Sequence, residues 1–150
     1  MSRSDRHITF VSPLPPPVGG IAAWTETIRT RGLGDGWRIS IVDTRMRGRS
    51  TADRSTRWNT EIIRTAKMIV SLLCTLIFDR PDIVHINCSI SERGVYRDAM
   101  AIAMTRLFRV SAVSNLHGNF LPGERAAVSR RSRAAYRFIF RHSKQIAALN

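Results

Sequence analysis

The chain has 150 residues, the size of one ordinary domain and enough to bury a self-contained core. Its 43% hydrophobic and 23% charged residues lie near the globular average, which excludes a disordered or low-complexity chain. Lysine and arginine exceed aspartate and glutamate by 24 to 11, and the resulting net charge of +13 is typical of proteins that meet nucleic acid, anionic lipid or phosphorylated ligands.

Cysteine usage and apolar runs exclude further classes of protein. Cys74 and Cys88 form no CxxC pair, so neither a disulfide framework nor a zinc site is indicated. The N-terminal MSRSDRHITF lacks the apolar segment of a secretory signal, and the longest apolar run, 68–78, is too short to span a bilayer. We therefore expect a cytoplasmic protein.

The first half of the chain predicts a strand, a helix, a strand and a second helix. Short β-favouring runs indicate the strands, and apolar residues at spacings of three and four indicate the helices. Pro81 ends the second helix, which has about five turns. The predicted strands cover 7–12 and 37–44, and the helices run from 21 to the glycine-rich turn at 31–36 and from 59 to 78.

The second half continues the alternation with a strand in PDIVHIN, a helix through Tyr96 to Leu107, a strand at 111–118, a helix at 125–141 and a strand at 144–150. Strands that alternate with helices of this length form right-handed βαβ units. We predict an α/β fold with a Rossmann-like parallel sheet and helices on both faces. Because the fifth strand runs to the last residue, we expect one truncated half of a longer protein.

Ligands of such sheets bind beyond the carboxyl ends of the strands, which selects the loops 12–20, 44–57, 87–94 and 117–124. The first of these reads SPLPPPVGGIAAW from Ser12 to Trp24. Its prolines hold an extended path, whereas Gly19 and Gly20 permit positive φ and a close backbone approach just where a helix begins. An anion such as the diphosphate of a nucleotide-linked substrate could bind there, and the alternative is a rigid turn without a ligand.

Neither standard nucleotide-binding signature is present. GGIAAW is not GxGxxG and contains no GK[ST], so a simple dinucleotide site or a P-loop is unsupported. The GLGDG sequence at 32–36 follows a helix and precedes a strand, and it predicts a helix C-cap and turn.

Polar residues follow the third and fourth predicted strands. His117, beside Asn119, could donate to a sugar hydroxyl or a phosphate oxygen, or move a proton near neutral pH. Asn87 and Ser89 could bind a polyhydroxyl acceptor, although such residues also cap helices. We interpret His85, inside an apolar strand, as a buried structural histidine.

The long second helix and the arginine-rich segments leave two interpretations open. Crowded apolar residues in the helix favour the core, and the basic segments 45–57 and 130–133 favour solvated surfaces. The arginines that flank the helix also allow a second interpretation, a peripheral membrane contact through the basic loops. A nucleic-acid module is the weaker alternative, since no aromatic residues are interleaved with the arginines and no base-reading motif occurs. The apolar helix residues are Met68, Val70, Leu72, Leu73, Leu76 and Ile77.

Taken in order, ITFVSPLPPPVGGIAAW, PDIVHIN, SNLHGNF and KQIAALN resemble the N-terminal domain of family 4 retaining glycosyltransferases, which have two facing Rossmann-like domains, the GT-B fold. The resemblance covers essentially the whole chain. It implies an acceptor-side domain of a hexosyltransferase of polysaccharide biosynthesis, with the donor bound by a C-terminal domain that is absent from this sequence.

The resemblance also implies roles for matching residues. Gly19 and Gly20 would lie near the donor diphosphate and the acceptor, and His117 would contact the transferred sugar as the catalytic residue. From their places after the strands, we also expect Asn87, Ser89 and Asn119 to bind substrate. The expected donor is a UDP- or GDP-linked hexose, and the acceptor a saccharide or lipid-linked saccharide. This domain is expected to bind no cofactor or metal by itself and to be inactive alone, because the family's paired glutamates belong to the second domain. A different Rossmann-like nucleotide-binding enzyme is the alternative.

Overall fold

Five strands form one parallel sheet in the computed structural model, which describes residues 6–16, 19–45, 58–89, 92–117 and 129–148. The strand order is β2-β1-β3-β4-β5, an order found in doubly wound α/β folds, and it confirms the predicted fold class. The strands are β1 Arg6–Ser12, β2 Trp37–Asp43, β3 Ile83–Ser89, β4 Ser111–His117 and β5 Gln145–Ala148.

The described helices lie close to their predicted ranges and are α1 Gly20–Arg31, α2 Trp58–Cys74, α3 Glu92–Leu107 and α4 Arg130–His142. A π-helical turn, Thr75–Asp79, continues α2. The last helix was predicted from residue 125, but α4 begins at Arg130 because the Ser129 hydroxyl accepts a hydrogen bond from the Ser132 amide and caps its first turn. Residues 125–128 lie outside the described residues.

Residues 1–82 form one compact unit, in which helices flank both faces of the β1–β2 pair. On one face, Phe10 contacts Trp24 of α1 edge to face, with ring centroids 5.7 Å apart. On the other, the Arg38 side chain donates at 3.0 Å to the carbonyl of Asp79, at the end of the π-helical turn. Because alternate residues of a strand point to opposite faces, this pair is covered on both sides.

The turn after α1 is the helix C-cap that GLGDG predicts. Gly32 has φ +72°, and its N–H donates to the Ile28 carbonyl at 2.9 Å. Gly34 and Gly36 also have positive φ, so the turn uses glycine where other residues would be strained.

Residues 83–150 form the second compact unit, which contains β3, β4, β5, α3 and α4. Helix α3 packs against β3, β4 and α4. The core of this unit includes the buried residues Val84, Ile86, Cys88, Val95, Ile102 and Ile139.

Helix α2 is only half core, which corrects part of the sequence-based interpretation. Met68, Leu72 and Leu76 are buried as expected. Val70, Leu73 and Ile77 are 58%, 37% and 43% exposed, so these three residues do not belong to the core. Because α2 is apolar around most of its circumference, the sequence could not show which side packs inward.

Candidate functional site

The polar residues predicted at the ends of β3 and β4 belong to one aligned set. In the parallel ladder, Asn87 pairs with Asn115 and Ser89 pairs with His117. Register partners of neighbouring strands point to the same face of a sheet, and so do alternate residues of one strand. The HIN of β3 and the NLH of β4 therefore place His85, Asn87, Asn115 and His117 on one face of this unit.

His117 and Asn87 are joined by a hydrogen bond. The Nε2 atom of His117 lies 2.8 Å from Oδ1 of Asn87, and an amide oxygen can only accept, so Nε2 is the donor. In a neutral imidazole this assignment leaves Nδ1 as the acceptor nitrogen. The pair thus fixes both the tautomer and the orientation of a half-buried imidazole at the carboxyl end of a strand.

Both histidines of this face are weaker bases than an exposed histidine. Burial lowers the pKa of His117 below its usual value of 6.5. Burial, together with a smaller contribution from the charge of nearby His117, lowers the pKa of His85 to about 4. At neutral pH both rings are therefore uncharged, and His117 can accept a hydrogen bond from a hydroxyl group rather than attract an anion.

Asn115 is the residue of this face that the sequence interpretation missed. Its side chain is 8% exposed, and its Oδ1 atom has no hydrogen-bond partner among the described residues. A buried amide oxygen without a partner is costly unless water or a ligand donates to it. The signal that could have identified it is the two-residue spacing to His117, which places the two side chains on one face.

Gly19 and Gly20 lie at the start of α1. Gly19 is the N-cap with φ −140°, an extended conformation that other residues adopt, so the positive φ that glycine permits is not used at this residue. A Cβ built at either glycine has no atom within 4 Å. Among the described residues no side chain caps this helix end. The first amides of a helix have no partner within the helix, and anions can bind there.

An aspartate holds the proline segment that leads to this helix. Oδ1 of Asp43 accepts from the Leu14 amide at 3.1 Å and from the Arg45 amide at 2.9 Å. The Arg45 guanidinium pairs with Oδ2 of Asp43 at 2.6 Å and donates to the Pro15 carbonyl at 2.9 Å. Asp43, which the sequence analysis did not single out, and Arg45, the first residue of the basic segment 45–57, thus fix the path of residues 14–15.

The predicted site residues have different outcomes. Asn87 and His117 are brought together, and the Ser89 backbone pairs with His117. Gly19 and Gly20 belong to the first compact unit, whereas Asn87 and His117 belong to the second. The side chain of Ser89 and the whole of Asn119 lie outside the described residues.

The described residues lack two further features. No group of three or more His, Cys, Asp or Glu side chains there is placed to hold a metal ion. None of the described helices is long and apolar enough to cross a membrane.

Comparison with known proteins gives a structural likeness but no family. No protein-family profile matches the chain, and no curated protein matches it. The chain is similar to a conserved protein from Enterococcus faecalis V583, with 7% sequence identity and a TM-score of 0.46, over 96% of this chain and 91% of that chain. A likeness at this level supports no inference about function.

Proposed function

We propose that the chain is the acceptor-side domain of a retaining glycosyltransferase that transfers a hexose from a nucleotide-sugar to a saccharide or lipid-linked acceptor. The observation that carries the proposal is the His117–Asn87 hydrogen bond at the carboxyl end of β4. It gives a neutral, oriented imidazole whose Nδ1 can accept a hydrogen bond from a sugar hydroxyl. Sugars present many hydroxyl donors, so such an acceptor suits them.

The start of α1 supports binding of the donor. The amides after Gly19 carry the positive end of the helix dipole, and no acidic residue lies in the first turn of α1. A UDP- or GDP-hexose offers a diphosphate, the type of anion that helix N-termini bind. In this proposal the chain's own residues bind and orient substrates, and a second domain supplies the remaining donor contacts.

A cytoplasmic location is part of the same proposal. Cys74 and Cys88 are both free thiols, as expected in the reducing cytoplasm. We place the protein in the cytoplasm, with its acceptor at the inner face of the membrane where that acceptor is lipid-linked.

Hexosyl transfer tests the proposal directly. The chain is joined in one polypeptide to a donor-binding domain, and transfer from UDP- and GDP-hexoses to a panel of acceptors is measured. We expect His117→Ala to lower kcat by about 100-fold, the scale of a lost polar contact to the reacting sugar. Gly20→Trp should lower transfer by blocking the helix start, since the space around Gly20 is open in the fold.

His142→Ala is the matched control, because His142 lies at the end of α4, away from the strand ends. Full activity in a variant that combines Gly20→Trp with His117→Ala would contradict the proposal. Protection against unfolding by NAD or ATP, without protection by any nucleotide-sugar, would favour a different nucleotide-binding enzyme.

A further inference from the structure

Helix α2 and its π-helical turn expose a continuous apolar surface, here called the α2 apolar face. Phe78 is 80% exposed, Ile62 59% and Val70 58%, values far above those of core residues. Large exposed apolar patches mark contacts with proteins or membranes. The α2 apolar face consists of Ile62, Ile63, Ala66, Val70, Leu73, Cys74, Ile77 and Phe78.

The face is wide rather than a narrow seam. At about 100° per residue, the six members that lie within α2 spread over about 120° of the helix circumference. The opposite side of α2 is occupied by the buried Met68, Leu72 and Leu76. A coiled-coil partner covers only the narrower a/d seam, whereas a flat surface of hydrocarbon can cover the whole width.

Few charges lie on or around the face, and their sum is slightly positive. Between residues 62 and 78 the exposed positions include one charged side chain, Lys67, and no acidic one. Glu61, before the face, is paired with Arg64 at 2.6 Å. Exposed Asp79 and Arg80 follow the face and have opposite charges.

The chain as a whole carries +13, so a second copy would meet repulsion, whereas an anionic lipid surface would meet attraction.

We infer that the α2 apolar face docks onto an anionic phospholipid bilayer. Its apolar side chains insert at the level of the headgroups, and α2 lies along the membrane surface, as interfacial amphipathic helices do. The rest of the chain contributes long-range attraction through its positive charge. This inference stands apart from the proposed sugar transfer, because it uses none of the residues at the strand ends or at the start of α1.

Vesicle co-sedimentation of the purified chain tests the inference. The probes are vesicles of phosphatidylcholine alone and vesicles with about a quarter phosphatidylglycerol. We expect binding to the anionic vesicles that weakens with added salt, and at least a 10-fold loss of affinity when Val70→Ser and Phe78→Ser are combined. The matched control is Leu107→Ser on α3, which is also highly exposed, at 79%, and should bind like the wild type.

A second measurement needs no substitution. Cys74 lies on the α2 apolar face and is exposed, whereas Cys88 is buried, and burial raises the pKa of its thiol to about 12. A charged maleimide should therefore label Cys74 selectively, and anionic vesicles should slow that labelling at least 5-fold.

Either of two results would overturn the inference. One is equal vesicle binding by the wild type and the combined variant, with circular dichroism and urea unfolding showing both to be folded. The other is a stable dimer in solution that the combined variant abolishes while vesicles leave Cys74 labelling unchanged, since the face would then bind a second copy.

Discussion

At the scale of single residues, the proton on one ring nitrogen of His117 decides what the site can bind. The Asn87 amide oxygen accepts from Nε2, so the available nitrogen is Nδ1 and the ring is a hydrogen-bond acceptor at neutral pH. Asn87 is thus a positioning residue for His117. Replacing its amide by a carboxylate would leave the geometry nearly unchanged while altering the charge.

We expect Asn87→Asp to raise the pKa of His117, because a carboxylate at hydrogen-bond distance stabilises the imidazolium. In the wild type the pKa of His117 should lie below 6.5, as burial disfavours the charged ring. NMR titration of the two proteins measures the difference, which should be about one to two pH units. An unchanged pKa would show that the two side chains are not in contact.

His85 should make the fold sensitive to acid. Its pKa is about 4 in the folded chain against 6.5 in the unfolded chain, so the unfolded state binds more protons between these values. The free energy of unfolding should therefore have its full value above pH 6.5 and should fall by about 2 kcal/mol as the pH drops towards 4. This figure is reduced to account for the partial exposure of the His85 ring to solvent.

Urea unfolding at several pH values measures this loss, and His85→Asn should reduce it. His117 and His142 also have lowered pKa values and contribute with the same sign. An identical pH dependence in wild type and variant would rule His85 out as its source.

Part of the candidate site could be predicted from the residue types in the sequence, and part of it depends on the folded structure. His117 and Asn87 could be chosen because polar residues at the ends of apolar strands are conspicuous in the sequence. The two-residue spacing to His117 could have placed Asn115 on the same face, but its lack of a partner is a property of the packed structure rather than of the sequence. Gly19 could be chosen for its lack of a side chain, but its φ depends on how the loop enters α1.

At the scale of elements, α2 carries apolar residues on two surfaces, one that packs into the core and one that meets solvent. Leu72 is fully buried and the neighbouring Leu73 is 37% exposed, although the two are the same residue type one position apart. The spacing predicts the helix itself, while the direction of packing is decided by the strands it meets.

We expect Leu72→Ala to lower the free energy of unfolding by about 2–4 kcal/mol, because it leaves a cavity in the core. Leu73→Ala is the matched control and should cost less than about 1 kcal/mol, since its side chain already meets solvent. Urea unfolding at neutral pH compares them. Equal losses would show that Leu73 is packed as tightly as Leu72.

The loop after β1 is held by Asp43, so its order should depend on that carboxylate. Asp43→Ala removes an acceptor for the Leu14 and Arg45 amides and the partner of the Arg45 guanidinium. We expect a loss of about 1–3 kcal/mol in the free energy of unfolding and faster hydrogen exchange at Leu14.

Hydrogen-exchange mass spectrometry follows the Leu14 amide, with Asp35→Ala in the exposed turn as the control. Unchanged protection at Leu14 in the Asp43→Ala variant would show that the proline segment is held by other contacts.

At the scale of the whole molecule, the regular alternation of strands and helices was enough to predict a parallel α/β sheet. The order β2-β1-β3-β4-β5 was not predictable in the same way, because alternation alone does not say on which side of β1 the chain continues. The excess of positive charge was visible at once, but the exposed apolar surface of α2, which we propose as a membrane contact, emerged only from the structure.

Sugar binding at His117 is tested most directly by long-range 1H–15N NMR of the imidazole nitrogens, recorded while oligosaccharide and lipid-linked acceptors are added to the chain. We expect the Nδ1 resonance of His117 to shift and to saturate with at least one acceptor, while the resonances of His142 stay in place. A His117 Nδ1 resonance that does not move with any acceptor, in a chain whose spectrum shows it to be folded, would contradict the proposed role.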